Sequence, residues 1–305
     1  MDVLAEIVAW LNAAASAVGE RLLAPLADLP VWLSVTAIAA VTGVLLLVVF
    51  KYTSNQAAIK RARDDINANL LALKLFKDSV SVTARAQGRL LFGAGRLLVL
   101  GLLPTVVMAV PVTLILGQLS LWYQQRPLRV GDEAVVTVKL NGEPGAPFPA
   151  VKLRPSDAVE TTAGPVRVFS RREVCWNIKV REGGYHRLSF DVDGVEAEKE
   201  LAAGDGYMRV SARRPERAWS EDLVYYPAEP PFGPDSPVRS IEIDYPRRDS
   251  LRTGGESWAL SWFVALVRAS DWLGGGLGVP GWLVYWFVVS LAAAFTFRRA
   301  LRVNV

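Results

Sequence analysis

Few side chains in this 305-residue chain have the makings of a reactive centre. There is one histidine, His186, and one cysteine, Cys175. A structural zinc site needs four protein ligands and a catalytic one needs three, so this pair falls short. A single cysteine closes no disulfide within the chain. In an apolar, strand-like run it reads as a small buried hydrophobe. A Ser-His-Asp relay would have to use His186, which sits in a second strand-like run with no nucleophile elbow. A phosphate-cradling glycine loop and an HExxH helix are both absent. The carboxylate pairs Asp64-Asp65 and Glu221-Asp222 read as solvated surface charge. These residues point to a non-enzyme that needs no metal and no cofactor.

The elements around them belong to a different kind of protein. Hydrophobic residues make up 51% and charged residues 21% of the chain, a balance that suits membrane spans joined to a sizeable water-exposed domain. The net charge of +4 is concentrated beside apolar runs. Residues 51–92 carry Lys51, Lys60, Arg61, Arg63, Lys74, Lys77, Arg85 and Arg89 against Asp64, Asp65 and Asp78. A second basic cluster is Arg298, Arg299 and Arg302. Lysine and arginine next to spans mark the cytoplasmic side. No aromatic-interleaved basic face is present, so no specific nucleic-acid partner is implied.

Residues 1–29 lack the basic start and long apolar core of a secretory signal. Val3, Ile7, Trp10, Leu11, Ala14 and Val18 recur at helical spacing, which predicts an amphipathic helix at the membrane surface. Residues 31–50 contain no charge and, as a helix, rise about 30 Å, the thickness of a bilayer core. They form the expected first span, with Pro30 at its start. Residues 51–92 follow as a cytoplasmic, coiled-coil-like helical hairpin. Ser54 is its expected N-cap, Asp78 to Val82 its expected break, and Thr83 the start of its second arm. Residues 97–119 make the second span, with Pro104 and Pro111 inside it and Arg96 at its cytoplasmic mouth. An arginine there reads first as a snorkelling anchor, and second as a charge facing a polar groove.

From residue 126 to 246 the period changes to two. Strands are expected at 135–140, 151–153, 159–162, 166–170, 174–180, 185–192, 195–201, 207–212 and 238–245. Asp193-Gly194 predicts a tight hairpin, and Trp176 is a core candidate. Eight or nine short strands fit an extracytoplasmic β-sandwich. Residues 183–190, GGYHRLSF, resemble the late strand of immunoglobulin-like domains, where a glycine turn leads into a tyrosine. Residues 256–277 are Trp-rich and amphipathic, reading as an interfacial helix or, second, a short re-entrant one. Residues 279–297 make the third span, and the arginines after it stop it on the cytoplasmic side.

The order of these parts resembles the three-span core of the Oxa1 superfamily, the membrane-protein insertases and their relatives such as YidC. The stretches that carry the resemblance are 25–51, 51–91 and the Leu103-Pro104 to Pro111 run. The expected fold is therefore a membrane α-helical protein, with three transmembrane helices and a cytoplasmic helical hairpin. An all-β immunoglobulin-like sandwich is inserted between its second and third spans. The resemblance implies a multi-pass protein of a bacterial-type inner membrane, N-terminus outside and C-terminus cytoplasmic. It implies membrane lipids and nascent or partner membrane proteins as partners, with a ribosome or cytoplasmic factor at the hairpin. It also implies a polar groove, open to cytosol and lipid, that lowers the cost of moving polar segments across. The groove candidates are Ser34, Thr36 and Thr42 on the first span, Arg96, Thr105 and Thr113 on the second, and Ser290 on the third. Each hydroxyl has an alternative role in bonding a carbonyl of its own helix. The hairpins of some relatives are rich in methionine; here leucine and phenylalanine take those places. Two other readings compete with an insertase. One is a membrane-tethered module that binds through its β-domain, and the other is a structural subunit of an envelope complex.

Overall fold

The computed structural model describes residues 2–27, 29–75, 80–142, 146–218, 220–248, 250–251 and 261–303. Among these residues are seven α-helices: α1 (Asp2–Ala27), α2 (Val31–Thr53), α3 (Gln56–Leu75), α4 (Val80–Tyr123), α5 (Glu221–Tyr225), α6 (Ser261–Leu277) and α7 (Gly281–Phe297). Eight strands follow the same numbering rule: β1 (Glu133–Leu140), β2 (Val151–Leu153), β3 (Val159–Val168), β4 (Glu173–Val180), β5 (Gly184–Val192), β6 (Val195–Ala203), β7 (Arg213–Arg214) and β8 (Val238–Ile243). The chain gathers into two compact units, Met1–Trp32 with Thr113–Trp282, and Leu33–Val112 with Leu283–Val305.

The first unit is built on a β-sandwich of antiparallel pairs. One sheet has the order β3-β4-β1-β8-β7 and the other β2-β5-β6. Alternation along the strands decides what faces inward. Val136 and Val138 of β1, Trp176 and Ile178 of β4, Leu188 and Phe190 of β5 and Leu201 of β6 all enter one core. Trp176 packs on Phe190 with ring centroids 5.6 Å apart. The expected hairpin joins β5 to β6, and both of its turn residues, Asp193 and Gly194, have positive φ. That is the conformation a two-residue turn needs to match strand twist. Two expectations change. Residues 159–162 and 166–170 are not separate strands: β3 is one strand that bulges twice around Ala163. Residues 207–212 pair with nothing as a strand, and the ladder contact falls on Arg213 and Arg214.

Every edge of the sandwich is blunted against pairing with another strand. β2 has three residues and β7 two, while β3 carries its bulges and Pro165. β6 is longer and is sealed by side chains. The Ala202 N–H donates to the Tyr245 hydroxyl (2.9 Å) and the Glu200 N–H to Glu229 Oε2 (3.0 Å). The Glu198 carbonyl accepts from Arg214 Nη1 (2.7 Å). Burial pushes the Tyr245 phenol above its ordinary range.

The same strand places Lys199 at an inward position between Ala197 and Leu201, with none of its side chain exposed. Its ammonium bonds Glu229 Oε1 (2.5 Å), Ser211 Oγ (2.9 Å) and the Glu200 carbonyl (3.2 Å). Burial lowers its pKa, and the Glu229 carboxylate partly offsets the effect. The pair ties β6 to the proline-rich run at residues 226–231. That run and α5 hold α1: Asn12 Nδ2 donates to the Leu223 carbonyl (2.6 Å) and Ser16 Oγ to the Pro227 carbonyl (2.8 Å). Gln118 of α4 donates to Ser16 Oγ (3.0 Å). The short helix α5 has no counterpart in the sequence reading.

The second unit is helical. Two helices, Val31–Thr53 and Thr83–Tyr123, are long and apolar enough to cross a membrane. α7 has 17 residues, a rise of about 25 Å. α4 has 44 residues and runs unbroken through Pro104 and Pro111, a length of about 66 Å, twice a bilayer core. Its first turns pair with α3 through small residues. Ala58, Ala62 and Ala86 are buried, and Gly93 lies against Ile66. The cap of α3 is Asn55, not Ser54: Asn55 Oδ1 accepts from the Ala58 N–H (3.0 Å), while Ser54 pairs with the Gln56 side chain. The second arm starts at Val80, three residues before Thr83. Phe76 to Ser79, which hold part of the expected break and Lys77, lie outside the described residues, as do residues 256–260 of the expected interfacial helix.

The Lys199–Glu229 pair gives a stability prediction. Lys199→Met should destabilise the protein by about 3–5 kcal/mol, because it strands the buried Glu229 carboxylate. Lys199→Met with Glu229→Leu should recover most of that loss. The folded-state pKa of Lys199 is lowered, so the unfolded chain holds this proton more tightly. Lys199 should therefore make stability rise with pH as the titration approaches 10.5, and Lys199→Met should lack that rise. Thermal unfolding of both variants across pH 7–10 measures this.

Candidate functional site

The sequence-predicted hydroxyls fall on α2, α7 and α4. On α2 the buried residues Val35, Ala39, Gly43 and Leu47 recur every four residues and make one face. Ala39 and Gly43 form a small-xxx-small pair, which lets another helix come close. That helix is α7. At Gly43 an added Cβ would collide with the backbone of Ser290. Ser290 Oγ donates to the Ala39 carbonyl (2.8 Å), and Thr36 Oγ1 shares a hydrogen bond with the Tyr285 hydroxyl (2.8 Å). Ser34 is also buried, but at 100° per residue it points away from that face of α2, whereas Tyr285 is fully buried. Thr36 and Ser290 thus sit along the α2–α7 contact, in which Tyr285 had no part in the sequence reading, and Ser34 does not. Its only sequence signal was an aromatic inside an apolar run.

The other candidates lie elsewhere. Thr42 Oγ1 donates to the Ile38 carbonyl of its own helix (2.7 Å), and Thr105 Oγ1 to the Gly101 carbonyl of its own (2.8 Å). Arg96, Thr105 and Thr113 are exposed on α4. The structure therefore does not gather the seven candidates into one lining.

The concavity in this unit is apolar. A cleft of about 350 Å³ opens among α2, α4 and α7, with Leu46, Phe50, Met108, Val112, Trp286 and Leu291 in its walls. Ser290 reaches it too, but its hydroxyl is turned to Ala39. A helix about 10 Å wide fills about 120 Å³ per residue of rise, so this space takes side chains and not a helix. The indole N–H of Trp286 is buried with no acceptor among the described residues. Beside the cleft α4 is almost bare. Of its membrane-length window only 6% is buried, against 33% for α2. Leu91, Leu98, Leu102, Val106 and Val110 are all more than half exposed and lie on one face.

Four basic side chains of the hairpin, Lys60, Arg61, Arg85 and Arg89, are exposed, as are Asp64 and Asp65, while Lys51 and Arg63 are half-buried. In the sandwich, His186 Nε2 lies 3.2 Å from the Glu182 carbonyl. Cys175 is half-buried, its Sγ 3.6 Å from Thr137 Oγ1. Among the described residues no three His, Cys, Asp or Glu side chains converge as metal ligands would. Asp222 pairs with Arg213 (2.7 Å), which also holds Glu242. No protein-family model, no curated protein and no solved structure matches this chain.

The α2–α7 contact separates two effects. Thr36→Val should cost about 0.6–1 kcal/mol, the size of one hydrogen bond between helices in lipid. Gly43→Val should cost more than Thr36→Val, because the clash is with backbone that cannot swing away. Thermal unfolding in detergent micelles checks the order; equal losses would reject close backbone approach as the dominant contact.

Proposed function

We propose that this chain is a membrane-protein insertase or chaperone of the kind found in the Oxa1 superfamily, which it resembles in the order of its parts. In this reading α2, α4 and α7 are three spans of a bacterial-type inner membrane. The α3–α4 hairpin is cytoplasmic, and the sandwich and the N-terminus lie outside. The charge bias supports that orientation, with the exposed Lys60, Arg61, Arg85 and Arg89 on the hairpin.

The observation that carries the reading is the contrast between the helices. α2 and α7 are clasped by Ser290, Thr36 and the approach at Gly43. α4 keeps a long apolar face bare, next to an apolar cleft. A nascent span can lie along that face and seat its side chains in the cleft until its own partners arrive. The hydroxyls then serve the scaffold that keeps the cleft open.

A second reading rests on the sandwich. Its strand order corresponds to the immunoglobulin arrangement, with β3, β4, β1 and β8 in the places of D, E, B and A, and β2, β5 and β6 in those of C, F and G. The A position is filled from the C-terminal side. Tyr185 starts the F-like strand, but its hydroxyl accepts from the Arg209 N–H, downstream and not upstream. At the end of the sandwich away from Glu133, Phe169 is exposed and meets Phe148 edge-on. An exposed aromatic tip suits a module that binds an envelope partner.

Site-specific photocrosslinking to ribosome-bound nascent membrane proteins tests the two readings. Probes at Leu98, Leu102 and Val106 of α4 should capture nascent spans, and probes at Phe169 should not. Capture at Phe169 with none along α4 would replace the insertase with the binding module.

A further inference from the structure

The helix α1 is turned inside out relative to a helix on a soluble domain. Two of its uncharged polar side chains face protein: Asn12 and Ser16 donate to the carbonyls of Leu223 and Pro227, and Gly19 lies against Gln118. At 100° per residue these positions share one face. The opposite face carries Val3, Ile7, Trp10, Val18 and Leu22, which are 51–71% exposed. No charge interrupts this stripe between Val3 and Val18. Arg21 stands on its line near the end, with a stem long enough to lift its guanidinium to a phosphate. Burying such a stripe is favourable by roughly 1.5–3 kcal/mol per large side chain, so it is made to be covered.

What covers it follows from the chain. α2, one of the helices long and apolar enough to cross a membrane, starts at Val31, four residues after α1 ends at Ala27. Four residues reach at most about 14 Å, so α1 ends within that distance of a membrane surface. Trp10 in mid-stripe is the residue type that settles at the headgroup boundary. We infer that the Val3–Leu22 stripe of α1 lies in the headgroup–acyl boundary of the bilayer, so that the hydrogen-bonded face of α1 holds the β-sandwich to the membrane as a strap. The occupant of the stripe is lipid. This does not depend on the insertase reading.

Single cysteines in a Cys175→Ser background, in the full chain reconstituted into phosphatidylethanolamine–phosphatidylglycerol vesicles, test the strap. Bimane at positions 7, 10 and 18 should be quenched at least threefold more by doxyl-labelled lipid than bimane at positions 6 and 20. These sites are exposed, so the substitutions leave packing intact. Equal quenching at all five positions would overturn the inference. Disulfide-linked dimers through positions 7, 10 and 18, with no lipid quenching, would do so too, by making the stripe a contact between two copies. A second arm tests the strap itself: Asn12→Ala with Ser16→Ala should raise the proteolysis rate of the vesicle-bound sandwich linkers several-fold. No change there would show that the α1 bonds do not hold the domain.

Discussion

A polar group without water must find its partner inside the protein, and that constraint organises both units of this chain. In the helical unit it turns Thr42 and Thr105 onto their own helices and makes Ser290 and Thr36 bond between α2 and α7. In the sandwich it gathers Glu229, Ser211 and a carbonyl around the buried Lys199 ammonium. The outward backbone groups of β6 find Tyr245, Glu229 and Arg214 in the same way.

Satisfying these groups changes what the surfaces can do. A hydroxyl bonded to a carbonyl does not line a wet path, so the concavity next to α7 is left apolar. The face of α4 that carries Leu91, Leu98, Leu102, Val106 and Val110 stays exposed hydrocarbon, a surface that would recognise a partner by fit and hydrophobicity. The sandwich is similarly constrained. With its edges short, bulged or sealed, it offers side chains such as Phe169 and not an open strand.

Lys199 links the core of the sandwich to its periphery. It bonds Glu229, the run that carries Glu229 holds α1, and α1 leads within four residues into α2. A lysine costs free energy at an inward strand position, and here its charge partner Glu229 comes from the proline-rich segment outside the strands. The ion pair adds to the packing of Tyr226, Ala228 and Phe232 in holding that segment.

The sequence by itself determined the elements whose signal is local. Periodicity marked the charge-free run of α2 and the alternation of β1, β4, β5 and β6; Asp193-Gly194 marked its turn; and the basic residues marked the hairpin. Each depends on neighbours within one turn or one strand, where spacing alone is informative. Only the tertiary structure decided which hydroxyls meet, that Tyr285 answers Thr36, that Gly43 admits Ser290, and that Lys199 points inward to Glu229. Those pairings join residues 30 to 249 positions apart, and the choice between an internal carbonyl and a neighbouring helix is made by packing, which no run of residues encodes alone.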